Sequence, residues 1–375
     1  MEDFTDFLDK GEAFDTIYLD FRKAFDSVPH ERLLLKLEAY GISGQIIMWI
    51  RNFLINREQT VRVGKDFSET SRVLSGIPQG SILGPVLFTI FINDLPEGIE
   101  SFCKIFADDT KVYNTTKNAY KIQDDLNKIQ EWSDKWQLPF NVGKCKCMHY
   151  GPNNPEHSYT LYGTNINTCT QEKDLGVTFD PSLKFKIHIQ NVINKGNQIL
   201  ALIRKNFMFM DRDTLVQLYK AMVRPHLEYG NTIWSPRFKE DIKSLEKVQK
   251  RATKLLPGLK NLSYEDRLKL LKLPSLKYRR MRGDLIQVFN IMNTEDANSF
   301  FIMNNQESTR GHNLKIFKPQ AKLDAKKYAF SHRVVEHWNK LPYDVVNSKN
   351  INDFKNKLDK FYGNKIYEYD ELNLL

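Results

Sequence analysis

Two sets of aspartates stand at the ends of β-type runs, and this placement constrains the fold more than any other feature of the chain. Asp20 ends an apolar run at 17–19, Ile-Tyr-Leu. Asp108 and Asp109 separate two runs of β-forming residues, at 102–106 and 110–113, as the tip of a hairpin would. A carboxylate at the end of a buried strand is costly unless it is paired or bound to a metal ion. The pattern predicts that Asp20 and Asp108 come within a few ångströms of each other.

Carboxylates on two strands can hold two Mg²⁺ ions side by side, ~3.5–4 Å apart, as in phosphoryl-transfer sites. One ion lowers the pKa of an attacking 3′-hydroxyl, and the other stabilises the leaving pyrophosphate. A pair of aspartates by itself is more often a solvated turn or a helix cap. That alternative explains Asp108 and Asp109 but not Asp20, so the metal site is favoured.

A glycine-rich loop stands between the two acidic segments. Residues 75–81, Ser-Gly-Ile-Pro-Gln-Gly-Ser, contain two glycines and a proline, which break regular structure. Ser81 is placed to cap the apolar helix predicted over 82–92. Such a turn lets backbone N–H groups approach a phosphate or a base, although a tight turn packed under the helix explains the glycines equally well. The three motifs, in this order, are what a polymerase palm requires.

The motifs closely resemble those of the reverse transcriptases of non-long-terminal-repeat (LINE-type) retrotransposons, in particular the jockey-like ones. The resemblance is carried by LDFRKAFDSV at 19–28, GIPQGSILGP at 76–85 and FADD at 106–109. Further matches are WIRNFL at 49–54, LFTIFINDL at 87–95, DLGV at 174–177 and RVVEHWNKLP at 333–342. The resemblance covers nearly the whole chain and implies an RNA-directed DNA polymerase.

The resemblance implies a metal site and a nucleotide site. Asp20 and Asp108 would be the main ligands of Mg²⁺, or of Mn²⁺ in its place, with Asp109 in a supporting role and the carbonyl of Phe21 near the second ion. For the nucleotide site, the residues implied are Phe25, which would exclude the 2′-hydroxyl of ribonucleotides, Gln79 and Gly80 at the incoming base pair, and Lys144 or Lys146 at the pyrophosphate. Two alternatives stay open: Phe25 is an ordinary core aromatic, and both lysines are ordinary surface residues.

Positive charge is concentrated in one region of the chain. The net charge is −7 over residues 1–183, +14 over 184–290 and +2 over 291–375. Within the basic region, a helix predicted over 240–256 carries one cationic face, formed by Lys243, Lys247, Lys250, Arg251 and Lys254. Such a face can follow a phosphate backbone without reading sequence, whereas the alternative is a solvated lysine face. The local charge favours nucleic acid, and by position the region resembles a polymerase thumb.

These observations predict an α/β (α+β) palm with a mostly antiparallel sheet over 1–183, a helical basic thumb over 184–290, and a linker with a small C-terminal module over 291–375. The predicted partners are an RNA template, a DNA primer and deoxynucleoside triphosphates. No apolar run is long enough for a membrane helix, and four cysteines indicate a reducing compartment, so an intracellular protein of the cytoplasm or nucleus is expected. The sequence leaves the oligomeric state open.

The family places a basic fingers segment before the first aspartate motif. Here only nineteen residues precede Asp20, and the first fifteen are acidic. We therefore expect the fingers to be incomplete and an upstream endonuclease domain to be absent, which makes the activity of the isolated chain uncertain. The alternative function is that of a catalytically defective remnant that binds RNA or an RNA–DNA duplex without polymerising.

Overall fold

The computed structural model describes residues 1–207, 209–294, 297–304 and 311–369. It divides into two compact units. The first, Gly11–Leu175, is called the sheet unit, and the second, Met1–Lys10 together with Gly176–Leu375, is called the helical unit. The mixed helix and sheet composition expected from the sequence is confirmed. The assignment of 1–183, 184–290 and 291–375 as palm, thumb and C-terminal module stays a prediction.

A five-stranded, mostly antiparallel sheet forms the centre of the sheet unit. Its strands are β1 Phe14–Leu19, β2 Phe102–Phe106, β3 Asp109–Thr115, β4 Lys146–Tyr150 and β5 Asn167–Thr168. They lie in the order β5-β4-β1-β3-β2, and only β4 and β5 run parallel. The central strand β1 is buried along almost its whole length, which is why it reads as a continuous run rather than an alternating one.

Five helices and several short strands complete the sheet unit. The helices are Ala24–Ser27, His30–Ala39, Gly44–Leu54, Leu83–Ile92 and Ala119–Trp136, and a 3₁₀ turn covers Thr116–Asn118. The short strands are Arg57–Gln59, Arg62–Val63, Asp66–Phe67, Ser71–Val73, Thr160–Leu161, Thr164–Asn165 and Glu172–Asp174. The longest helix buries Ile122, Leu126 and Ile129, the apolar stripe that its sequence predicts. A single core joins these helices to β1, β3 and β4.

One buried carboxylate in this core belongs to Asp15 on β1, whose relative exposure is 0%. It accepts hydrogen bonds from the His149 ring (2.7 Å), the Tyr159 hydroxyl (2.7 Å) and the Asn154 amide (2.9 Å). Burial pushes the pKa of Asp15 up, but these three donors outweigh burial and hold the pKa below its ordinary value. Asp15 therefore has a structural role, which ties β1 to β4 and to the segment that follows it.

We expect Asp15→Ala to lower the free energy of unfolding by about 3 kcal/mol, because three buried or half-buried donors then lose their acceptor. Urea denaturation at pH 7 measures the change. The control is Asp66→Ala, which removes an exposed carboxylate of the same unit and should change stability by less than about 0.5 kcal/mol. Equal stability of the two variants would show that the Asp15 network contributes nothing net.

The helical unit is built from helices of very different lengths. Those of more than six residues are Glu2–Asp9, Lys186–Asn206, Arg212–Leu218, Lys239–Thr253, Tyr264–Leu271, Leu276–Met292 and Ile351–Tyr362. The shorter ones are Arg224–Glu228, Asn231–Trp234, Ala297–Phe300, Asp324–Lys327, Phe330–Arg333, Val335–Asn339 and Tyr343–Val346. A π-helical turn covers Tyr219–Val223, 3₁₀ turns cover Pro257–Leu259 and Gly363–Tyr367, and strands lie at Val177–Phe179, Ile302–Met303 and Ile316–Phe317. No helix among the described residues has the length and apolar character needed to cross a bilayer.

The last long helix of the predicted thumb shares a core with the C-terminal tail. Leu285 and Phe289 of helix Leu276–Met292 belong to one cluster with Trp338 and Phe354. The polar stretch 293–307, at the start of the region predicted to be a linker and C-terminal module, contains a helical turn at Ala297–Phe300 and a buried Phe301 in its described part. Residues 295, 296 and 305–307 of that stretch lie outside the described residues. The hydrophobic core therefore crosses the predicted boundary at residue 290.

The acidic N-terminal helix packs within the helical unit. Glu2 and Asp6 both pair with Lys326, at 3.0 and 2.6 Å. Asp9 accepts hydrogen bonds from the backbone N–H groups of Lys322 and Leu323, at the start of helix Asp324–Lys327. A carboxylate at this position is stabilised by the helix dipole. Three of the acidic residues near the start of the chain are thus used as internal contacts.

Candidate active site

The aspartates predicted as metal ligands lie at one end of two neighbouring strands. Leu19 of β1 pairs with Thr110 of β3, so the next residues outward are Asp20 and Asp109. Residues opposite each other in an antiparallel pair have Cβ atoms about 4.5–5.5 Å apart. Burial raises the pKa of the Asp109 carboxyl, and repulsion from Asp108, Asp174 and Asp20 raises it further. Asp20 and Asp108, which the sequence predicts to lie close together, therefore both act electrostatically on Asp109.

Asp20 holds a buried carboxylate oxygen that has no hydrogen-bond donor. Its Oδ2 is inaccessible to solvent and finds no such partner within the described part of the chain. The Lys144 ammonium forms an ion pair with this oxygen, with Nζ 3.6 Å from Oδ2. The backbone on either side is held firmly, because the Asp20 carbonyl accepts from the Asn141 N–H at 2.7 Å. The side chain as a whole is 43% exposed, and an anionic oxygen without a hydrogen-bond donor at such a position is suited to a divalent cation.

The side chains described at this site do not suffice to surround a metal ion by themselves. Over residues 1–207, 209–294, 297–304 and 311–369, no three His, Cys, Asp or Glu side chains converge in a geometry that could hold a metal ion. Mg²⁺ in phosphoryl-transfer sites is commonly bound by one or two carboxylates, with water and substrate phosphates as the other ligands. The orphaned Asp20 oxygen and the acidic neighbours of Asp109 fit that open type of site.

The hairpin tip that carries Asp108 contains a residue in an unusual backbone conformation. Ala107 takes a left-handed backbone conformation, with φ of +52°. This conformation is costly for a residue with a Cβ atom and is usually reserved for glycine. Strain of this kind persists only where the surrounding structure fixes the turn, here the pairing of Phe106 with Asp109.

The glycine-rich loop is bound directly to the segment that follows Asp20. The Gly76 N–H donates to the Val28 carbonyl (2.8 Å), and the Ile77 N–H donates to the Phe25 carbonyl (2.7 Å). Gly76 has φ of +91°, and a Cβ atom there would lie 2.7 Å from the Asp26 Cα atom. The glycine-rich loop and the segment after Asp20 therefore form one combined piece. Only glycine permits the backbone at position 76 to approach Asp26 this closely.

The predicted nucleotide-site residues lie on this combined piece. The Gln79 amide donates to Asp26 Oδ1 at 2.9 Å, and Gly80 has open space where a Cβ would stand. Phe25 is half-buried and stacks on Phe88, with ring centroids 4.4 Å apart. The Phe21 ring is buried against Phe140, at 4.1 Å between centroids. Phe25 thus packs as a core aromatic on one side while its other side is partly exposed.

The two candidate lysines differ in position. The Lys144 side chain is 68% exposed and pairs with Asp20, in a turn closed by its own N–H to the Asn141 carbonyl (2.9 Å). Lys146 lies on β4 opposite Tyr18 of β1. Lys144 is therefore the lysine adjacent to the carboxylates.

Sequence reasoning missed four side chains that support these motifs. Lys111 lies two residues after Asp109 on β3 and forms an ion pair with Asp174. His30 and Arg57 both donate to the Gly76 carbonyl, at 2.8 and 2.6 Å. The period of two along β3 would have placed Lys111 on the same face as Asp109. Nothing in the local sequence indicates that His30 and Arg57 converge on one carbonyl.

The predicted cationic face lies on helix Lys239–Thr253 and the residue that ends it. Lys247, Arg251 and Lys254 are exposed, whereas Lys243 is half-buried. The Lys250 ammonium lies over the rings of Tyr264 and Tyr369, at 5.1 and 4.6 Å from their centroids. Lys250 is thus partly engaged within the helical unit.

A groove of about 1230 Å³ opens beside this face. Five cationic residues line it, Arg204, Lys205, Arg251, Lys254 and Lys260. Phe209, at the same groove, is 95% exposed. Cationic side chains next to an exposed aromatic ring are typical of surfaces that hold a nucleic-acid strand.

The known proteins that this chain resembles are described as reverse transcriptases or RNA-directed DNA polymerases. Residues 9–179, which include the whole sheet unit, match the family model described as reverse transcriptase (RNA-dependent DNA polymerase). The chain is 29% identical over 272 residues to the RNA-directed DNA polymerase from mobile element jockey of Drosophila funebris, a match that covers 67% of this chain and 29% of that protein. It is 26% identical over 267 residues to the probable RNA-directed DNA polymerase from transposon X-element of Drosophila melanogaster, again 67% of this chain and 29% of the other.

The chain thus spans under a third of the length of these curated relatives. Among solved structures, apo telomerase from Candida tropicalis is 13% identical, with 72% of this chain and 48% of that chain covered and a TM-score of 0.37. A likeness this low supports no argument about the present chain.

Proposed function

We propose that this chain, which carries at residues 9–179 a reverse transcriptase domain homologous to those of LINE-type retrotransposons, polymerises DNA on an RNA template. The observation that carries the proposal is the meeting of Asp20 and Asp109 at one end of paired strands, with the Asp20 Oδ2 atom buried and without a donor. Its partners would be an RNA template, a DNA primer and deoxynucleoside triphosphates.

Asp20 and Asp108 would hold divalent cations, Mg²⁺ or Mn²⁺, with the Phe21 carbonyl beside them. The ions, when bound, would supply charge neutralisation and an activated 3′-hydroxyl. Asp109 would support the site, since burial and then the crowding of negative charge raise its pKa, and a cation would relieve the crowding. The Lys144 ammonium, now paired with Asp20, is placed to meet the negative charge of a departing pyrophosphate.

The nucleotide would rest on the piece formed by the glycine-rich loop and the segment after Asp20. Gln79, oriented by Asp26, would contact the incoming base pair, and the open space at Gly80 would allow close approach. Phe25, fixed by its stack on Phe88, would stand beside the sugar and exclude a 2′-hydroxyl by shape.

We expect Phe25→Ala to raise the incorporation of ribonucleotides relative to deoxynucleotides by about 10–100-fold, the scale of discrimination that pocket shape gives. Single-nucleotide incorporation with each triphosphate measures the ratio. The control is Phe53→Ala, which trims another half-buried aromatic of the same core and should leave the ratio unchanged. An unaltered ratio in Phe25→Ala would leave Phe25 a packing residue only.

Nucleic acid would be held by the cationic face of helix Lys239–Thr253 and the adjoining groove. Lys247, Arg251 and Lys254 are the exposed members of that face, and Arg251 and Lys254 also line the groove. Lys243 and Lys250 would contribute less, because the one is half-buried and the other lies over two tyrosine rings. Side chains of this kind bind phosphate without selecting sequence.

We expect the triple variant Lys247→Gln, Arg251→Gln and Lys254→Gln to weaken binding to an RNA–DNA duplex about equally for all sequences. The slope of log K against log salt should become shallower by about 0.9 for each phosphate that the protein no longer neutralises, by analogy with B-DNA. Fluorescence anisotropy at four salt concentrations measures both. A matched triple, Lys269→Gln, Lys340→Gln and Lys360→Gln, removes three exposed lysines outside the groove, and identical slopes for the two triples would reject the assignment.

Primer extension tests the proposed function itself. The full chain is incubated with a primed RNA template, deoxynucleotides and Mg²⁺, alone and with a family fingers segment fused upstream. Extension that EDTA abolishes supports the polymerase. Duplex binding without extension by either protein favours the second function considered, a remnant that binds nucleic acid only.

A further inference from the structure

A second cavity, of about 360 Å³, lies within the helical unit and is used by none of the functions proposed above. Six cationic residues line it, Arg237, Lys277, Arg280, Lys318, Lys327 and Arg333. Two lining carboxylates face them. Glu336 pairs with Lys318 (2.6 Å), and Asp284 forms a forked pair with Arg333 (2.8 and 2.9 Å). The lining thus carries four more positive than negative side chains.

Arg280 is the unusual member of this set. It is buried, with a relative exposure of 5%, although it belongs to the lining of the cavity. Nearby carboxylates, Glu246 first among them, attract its charge. Glu246, however, accepts its own hydrogen bonds from Tyr264, at 2.6 Å, and from the backbone N–H groups of Leu276 and Lys277. Glu246 therefore attracts the positive charge of Arg280 while its own oxygens accept hydrogen bonds from other donors.

A buried donor without an acceptor is costly, and more so when the group is charged. The Nε atom of Arg237, at the same cavity, is such a donor, since it is buried without a partner in the described part of the chain. One guanidinium with an unpartnered Nε and a second, buried guanidinium thus line one space. The planar fork of a guanidinium matches the oxygens of a phosphate in a bidentate manner.

We propose that this cavity binds the phosphate of a nucleotide, with Arg280 and Arg237 donating to its oxygens and Lys327 adding positive charge. The volume lies within the range of small-molecule sites. Met281, Leu285 and the half-buried Tyr328 supply an apolar and aromatic wall for the base or sugar. The same chemistry is offered by a free nucleotide and by a nucleotide of an RNA strand, and the two sources are separated below.

The test is calorimetric titration of the full chain with AMP and with inorganic phosphate, and anisotropy with a labelled ten-nucleotide RNA, all at fixed ionic strength. We expect Arg280→Met and Lys327→Gln each to weaken binding at least tenfold. Lys327 is exposed, so its variant should fold even if Arg280→Met does not. The control is Lys360→Gln, an exposed lysine that does not line the cavity.

Loss of AMP or phosphate binding in both cavity variants, but not in the control, identifies a free nucleotide as the ligand. Loss confined to the RNA identifies a nucleotide of a strand, and either result supports the proposal. The proposal is overturned if none of the three probes binds the parent chain, since the cavity then holds water only. It is equally overturned if Lys327→Gln binds all three as tightly as Lys360→Gln does.

Discussion

Asp20→Asn should reduce primer extension on the order of 10³-fold while leaving the free energy of unfolding unchanged or slightly higher. The amide keeps the shape of the side chain but removes the anionic Oδ2 that lies buried without a donor. Stability should not fall, because Asp20 is one of the charges that raise the pKa of Asp109, so its neutralisation relieves repulsion. Single-turnover kinetics in Mg²⁺ and urea denaturation give the two numbers.

A matched substitution separates this effect from a general loss of charge. Asp124→Asn removes an exposed carboxylate from helix Ala119–Trp136 of the same unit and should change neither quantity. Binding of Mn²⁺, followed by electron paramagnetic resonance, provides a readout that does not depend on turnover, and Asp20→Asn should weaken it. Parental extension and parental Mn²⁺ affinity in Asp20→Asn would remove Asp20 from the proposed metal site.

The burial of Asp109 and its repulsion by neighbouring carboxylates also make stability depend on pH. Its pKa is raised in the folded state, so this group favours folding at pH values below its unfolded pKa and opposes it once the pH has risen through the folded pKa. Asp15 has the opposite sign, because its pKa is lowered and its contribution is lost as the pH falls. Asp15, which has a structural role, and Asp109, for which a role in the metal site is proposed, therefore have pKa shifts in opposite directions within one sheet.

The sequence predicted the elements that carry the acidic residues. The hairpin around Asp108 and Asp109 has the expected strands, and the apolar run predicted to be helical over 82–92 forms a helix at Leu83–Ile92. These succeed because their signals are local: a period of two or 3.6, and apolar runs bounded by polar residues. Ser81, predicted to cap this helix, lies one residue before the N-cap residue Ile82, and its hydroxyl accepts from the Gly84 N–H at 3.0 Å.

The features that the sequence did not reveal depend on contacts between distant segments. Residues 59–63, although rich in β-forming residues, are divided in the structure between two small hairpins whose residues are mostly exposed. The hydrophobic core crosses residue 290 because Phe289 stacks on Phe354, 65 positions later in the chain. The roles of His30 and Arg57 depend on one carbonyl, that of Gly76, which no local pattern identifies.

The choice between Lys144 and Lys146 shows the same limit. Both lysines follow the same turn and have the same chemistry, so composition and spacing do not separate them. What separates them is the hydrogen bond from Asn141 to the Asp20 carbonyl, which fixes the turn against the end of β1. Its consequence is that Lys144 lies at the carboxylate while Lys146 enters the sheet.

Gly76→Ala should have the second large effect, lowering the free energy of unfolding by about 2–4 kcal/mol and extension by at least about 100-fold. The new Cβ would lie 2.7 Å from the Cα and carbonyl oxygen of Asp26, and backbone atoms cannot yield as the end of a flexible side chain can. The loop must then move away from the segment after Asp20, which also displaces Gln79 from Asp26.

The control is Gly64→Ala, because Gly64 also has a positive φ (+64°), but a Cβ atom at that position would have no atom within 4 Å. It should show only the cost of a left-handed alanine, about 1–2 kcal/mol, with extension unchanged. If the two variants lose the same stability and extend primers equally, the close crossing at Gly76 is not what holds the two motifs together.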